Sequence, residues 1–181
     1  VIDVNPYVDL ISHDKSTINQ LGTTDTFNFV EAFANNVKGL RFFNGARALV
    51  FASSNIDSTV LSVKHCSFHR TTSYAIDTRG LTESGHMSAF VDISNCQFSL
   101  CSKAVRNVCD KMVFRNSWIY LFMNNFKPNS AAIMNAKGQL ILDSIIGVPN
   151  LGSLNPFWGT TTRVDNTRWI DNYNGDLIAY R

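Results

Sequence analysis

The 181-residue chain has no apolar run near the length of about 18 to 20 residues that a membrane helix needs. Its opening stretch, "VIDVNPYVDL", has neither a basic start nor a continuous apolar centre. Neither a membrane span nor a targeting segment is therefore expected. Lysine and arginine do not gather in runs, and 16 of them against 14 acidic residues leave a net charge of +2. Without a basic stripe there is no electrostatic footprint for nucleic acid or for a membrane surface. Cysteine is scarce too: Cys66, Cys96, Cys101 and Cys109 form no C-x-x-C pair, and no histidine stands at zinc-finger spacing from them. That pattern predicts no metal site and no cofactor, and leaves the four thiols as small apolar packing groups. A chain that begins without Met and stops at "LIAYR" is expected to be a piece of a longer protein, so a missing leader carries no weight.

What is present is enough apolar material for one core, 45% of residues, and an internal repeat. Aligned on Cys96 of "VDISNCQFSL", the stretches "LRFFNGAR", "LSVKHCSF", "MVFRNSWI", "LILDSII" and "TRVDNTRW" put Gly45, Cys66, Ser117, Ser144 and Thr167 in one column of small residues. Three positions earlier stand Phe42, Val63, Ile93, Phe114, Ile141 and Val164, all apolar. Two positions later stand Arg47, Phe68, Phe98, Ile119, Ile146 and Trp169, apolar except for Arg47. The position before the anchor holds Asn44, His65, Asn95, Asn116, Asp143 and Asn166.

Successive anchors lie 21 to 30 residues apart, and each unit alternates apolar and polar residues over short runs bounded by Asn, Gly and Ser. That is the signature of strands rather than helices. A second strand per unit centres on Val50, Ile76, Val105, Ile133, Phe157 and Ile178. Stacked about 4.8 Å apart, such units form a coil in which the one-residue phase slip at Asn95-Cys96 is a tight corner. Asparagine suits it because it tolerates left-handed backbone angles, and a small anchor lets the chain turn. Val63, Ile93, Phe114, Ile141 and Val164 are expected to form one buried column. Cys66 and Cys96 are expected to be neighbours in the stack and unbridged, since in-register side chains point the same way.

Through the units "VKHCSF", "ISNCQF", "FRNSWI", "LILDSII" and "VDNTRW" the sequence resembles the right-handed parallel β-helix, or pectin-lyase-like, superfamily over residues 40 to 181. The resemblance implies an all-β right-handed solenoid, with coils from residue 37 to 181 behind an N-terminal segment of residues 1 to 36. Within that segment "GTTDTFNFVEAFANN" places Phe27, Val30, Phe33 and Ala34 on one helical face, with Thr24 or Asp25 as N-cap. It predicts a short capping helix over the open end, similar to the helix that opens viral members. "WIDN" at Trp169 to Asn172 resembles a lyase "W-I-D-H", but Trp169 already has a place in the inward column. No Gly-His-Gly of the polygalacturonase kind is present.

The nearer resemblance is to bacteriophage tailspikes, in irregular coil length, few charges, many Asn and Ser, and free cysteines compatible with assembly in a reducing host cytoplasm. It implies a homotrimeric virion protein that works outside the cell, alongside other virion proteins, and binds or degrades a surface polysaccharide. A purely structural virion component and a free polysaccharide lyase or hydrolase stay open as alternatives. Glycan hydrolysis needs two carboxyl groups about 5 to 9.5 Å apart. Elimination beside a uronic acid needs a base and a cation. The insertion "TRGLTESGHM" supplies Arg79, Glu83 and His86 beside Asp77, and these four are the catalytic candidates. Trp118, Arg115 and Lys64 on outward columns are the glycan-binding candidates, with a subunit interface as the other use for Trp118.

Overall fold

In the computed structural model, residues 1–30, 32, 34–52, 59–80, 89–120, 133–135, 138–148, 157–159, 163–165, 168–170 and 177–180 are described. At Ala52, Thr59, Arg79, Gly80 and Val148, and from Phe157 onward apart from Asp165, the description is of backbone alone. Three short strands recur along the chain. First come β1 (Ile2–Val4), β2 (Leu10–Ile11) and β3 (Thr17–Gln20), then β4 (Phe27–Phe29), β5 (Ala34–Lys38) and β6 (Arg41–Asn44). The set repeats as β7 (Leu49–Ala52), β8 (Thr59–Lys64) and β9 (Ser67–His69), and as β10 (Tyr74–Gly80), β11 (Ala89–Ser94) and β12 (Gln97–Ser99). Beyond these the second and third strands of a set run together. β13 (Lys103–Asn107) is followed by β14 (Lys111–Tyr120), and β15 (Ile133–Asn135) by β16 (Gln139–Val148). The chain continues through β17 (Phe157–Gly159), β18 (Arg163–Asp165) and β19 (Arg168–Ile170) to β20 (Leu177–Tyr180), which turns back antiparallel on β19.

The strands stack as a parallel β-solenoid with three faces. A 7-stranded sheet, β1-β4-β7-β10-β13-β15-β17, makes the first face. A 13-stranded sheet bends along one edge to make the other two, with β14 and β16 crossing the bend unbroken. Alternation directs every second side chain inward. Val63, Ile93, Phe114 and Leu142 stack in register on the second face, each buried. On the third face Phe42, Phe68 and Phe98 stack as parallel rings, with centroids 5.1 and 4.9 Å apart. Leu49, Ile76, Val105 and Ile133 line the first.

The bend between second and third faces is one residue in left-handed conformation. Gly39, His65, Asn95, Asn116 and Ser144 all have φ between 48° and 72°. A second corner, after the third face, is made the same way by Asn44, Arg70 and Leu100. At four of these corners a small polar group after the corner residue closes the bend. Cys66 Sγ and Cys96 Sγ each donate to the carbonyl two residues back at 3.3 Å, and Ser117 Oγ does so at 2.8 Å. Cys101 Sγ repeats the contact at the second corner, to Ser99 O at 3.5 Å. All four cysteines are buried and unbridged, and Cys66 and Cys96 are neighbours in the stack.

Two units depart from the expected register. Gly45 belongs to the second corner, in the column of Thr71 and Cys101. Gly39 turns the first corner, so Leu40 rather than Gly45 stands level with Cys66. Gly39 can be nothing larger, since a Cβ there would lie 2.1 Å from Ser12 O. In "LILDSII" it is Ser144 that bends the chain, with φ 55°, so Leu142 replaces Ile141 in the buried column and Ile145 replaces Ser144 at the anchor. Likewise Leu49, not Val50, pairs with Ile76, and Ile178 lies on the antiparallel β20. The expected capping helix is a correction of another kind: no helix occurs among the described residues, and Phe27–Phe29 form strand β4 with Phe27 and Phe29 buried. Period-two burial of those two phenylalanines against β7 outweighs the helical spacing, and Phe29 lies 4.7 Å from Phe51. Strands β1 to β3 also pair in register with β4 to β6, and the boundary expected after residue 36 falls inside β5.

Candidate functional site

The chemistry-bearing outward side chains gather on the third face and its corner. Inward Phe42, Phe68, Phe98 and Ile119 force their neighbours outward. One outward row therefore reads Arg41, Ser67, Gln97, Trp118 and Ile146, and the next Phe43, His69, Ser99 and Tyr120. The corner residues Lys15, His65, Asn95, Asn116 and Ser144 border these rows.

Two adjoining grooves run along this edge. One, of about 390 Å³, is lined by Lys15, Arg41, Phe43, His65, Ser67, His69, Asn95, Gln97 and Ser99. The other, of about 330 Å³, shares Asn95 and Gln97 with it and adds Asn116, Trp118, Ser144 and Ile146. In the first, the Phe43 and His69 rings touch with centroids 5.1 Å apart, and a 2.8 Å hydrogen bond joins His69 Nδ1 to Ser99 Oγ. Partial burial, and secondarily the adjacent Arg70 charge, lowers the His69 pKa, which favours the neutral ring. In the second, Trp118 is 48% exposed, with Tyr120 at 6.3 Å. Aromatic faces among amide and hydroxyl groups suit a ligand that offers both apolar CH surfaces and hydroxyls.

The ion pairs lie on the other faces. On the first, Arg47 holds Asp25 through two hydrogen bonds of 2.7 and 2.6 Å and reaches Asp77 at 3.2 Å. The hydrogen bond to Asp25 raises the Arg47 pKa. Asp77 is 1% exposed and sits in this network. On the second face, Asp92 accepts from Arg115 at 2.9 Å and lies 3.5 Å from Lys64 Nζ, while its Oδ1 has no hydrogen-bond partner.

The glycan-binding candidates are thus divided by the corner. Lys64 and Arg115 share the second face with Asp92, whereas Trp118 lies past Asn116 on the third. Of the catalytic candidates, Asp77 is ion-paired and Arg79 has its backbone in β10. Glu83 and His86 lie outside the described residues. The groove residues Arg41 and Phe43 escaped the sequence reading because the Gly45 alignment assigned Phe42 to the wrong column. With Leu40 level with Cys66, they fall into the outward rows of Ser67 and His69. Compared with known proteins, the chain matches no family model, no curated protein and no solved structure.

Proposed function

We propose that this β-solenoid is part of a tailspike-like virion protein of the right-handed, pectin-lyase-like kind. It assembles as a homotrimer in the host cytoplasm and engages a surface polysaccharide outside the cell. The observation that carries the proposal is Trp118, 48% exposed in a groove whose other walls are Asn95, Gln97, Asn116 and Ser144. An indole held open among amides and hydroxyls stacks on a sugar ring while its neighbours bond the hydroxyls. Successive turns follow at about 4.8 Å per strand, so an extended glycan lying along the edge meets a different outward side chain at each turn.

A second reading has its own support: Ile146, 47% exposed, stands beside Trp118 in register, and an apolar pair of this kind also suits a subunit interface. The two are separated by incubating the assembled protein with purified host polysaccharide and measuring binding together with release of reducing ends or unsaturated products. Binding lost by at least about tenfold in Trp118→Ala supports the glycan site. Product release in addition assigns a depolymerase. Neither signal, with Trp118→Ala dissociating the oligomer instead, assigns a structural role.

A further inference from the structure

We infer that the first groove is a subsite for a carboxylate-bearing sugar, so that the polysaccharide is an acidic one. This rests on the glycan reading and narrows it to a substrate class. Two cations, Lys15 and Arg41, and two imidazoles, His65 and His69, line this groove, and no carboxylate does so among the described residues.

Outside the groove, Arg47, Lys64 and Arg115 lie against Asp25, Asp77 or Asp92. Among the described residues, no such partner meets Lys15 or Arg41. On a chain of net charge +2, an unpaired cationic pair in a concave site concentrates positive potential where a ligand's anion would lie. Arg41 offers the planar fork that binds a carboxylate through two parallel N–H bonds. It alternates along β6 with Phe43, whose ring packs on His69 and gives the sugar's CH face a platform. Asn95 and Gln97 belong to both grooves, and Arg41 stands three strands from Trp118 in the same row, so one glycan chain can place an acidic unit by Arg41 and a later unit by Trp118.

The test uses the assembled protein on a glycan array carrying polygalacturonate, alginate, hyaluronan and polysialic acid. Dextran and fully methyl-esterified polygalacturonate are the neutral members, and single-stranded oligothymidine is a polyanion of another class. The expected result is binding to at least one carboxylated glycan at least tenfold tighter than to any neutral member. It should weaken as salt rises and fall at least tenfold in Arg41→Gln, while Lys111→Gln on the second face binds as the parent does. Circular dichroism spectra matching the parent confirm that both variants fold. Neutral glycans bound as tightly as acidic ones, or unchanged affinity in Arg41→Gln, overturn the acidic subsite and leave the glycan reading standing. Oligothymidine bound in preference to every glycan overturns both, and so does a folded protein that binds none of these.

Discussion

Arg47 shows how one side chain decides what a neighbouring carboxylate can do. It is the exception in its column because that column does not run through it. Instead it bridges Asp25 from one turn to Asp77 from another. Removing the guanidinium takes a 3.2 Å ion pair from a carboxylate that is 1% exposed, and breaking a buried pair costs more than breaking an exposed one. Arg47→Ala should therefore lower the urea midpoint well beyond Arg115→Ala, whose half-exposed ion pair is worth about 1 kcal/mol or less. Equal shifts in the two variants would contradict a structural role for the Asp77 network. The thiols make a second prediction at this scale. Burial raises the pKa of Cys96 and Cys101 and pushes Cys109 up to about 12, whereas the hydrogen bond with Cys96 lowers that of Cys66. Thiolate is the reactive form, and all four thiols are buried, so the folded protein should resist alkylation at neutral pH. Mass spectrometry after full denaturation should show four free thiols. A bonded pair under non-reducing conditions would contradict this.

The element that defines the fold is the one-residue corner. A left-handed bend costs an ordinary L-residue about 1–2 kcal/mol, and glycine or asparagine relieves that cost. Asn95→Gly should thus fold with nearly the parent's melting temperature, while Asn95→Val, β-branched at φ 54°, should melt several degrees lower. Equal melting temperatures would remove the corner from the argument. The same element explains what was legible in the sequence. His65-Cys66, Asn95-Cys96 and Asn116-Ser117 announce the bend twice over, by a left-handed-tolerant residue and by the small donor that closes it. The buried column from Val63 to Phe114 could therefore be read directly. At Gly39-Leu40 and Ser144-Ile145 the residue after the bend is large, and a tempting Asn44-Gly45 belongs to the other corner. Composition alone could not separate two corners built by the same physics. The short Phe27–Phe29 strand misled for a related reason: three residues carry too little periodicity to compete with an N-cap pattern, and only contact with β7 decides it.

For the whole molecule, the solenoid places its ion pairs on two faces and sets Lys15, Arg41 and the exposed indole along the edge of the third. Strand order alone could not show this, because it arises from side chains on successive turns brought together across 21 to 30 residues of sequence. Trp118 reports on that edge, and the chain has only two other tryptophans, Trp158 and Trp169. With both replaced by phenylalanine, emission from the assembled protein comes from Trp118 alone. Titration with purified host surface polysaccharide should then shift that emission to the blue and protect it from acrylamide quenching, in a saturable way that Arg41→Gln weakens. Emission and quenching that stay unchanged at saturating polysaccharide, in a protein whose circular dichroism matches the parent, would contradict a glycan-binding edge.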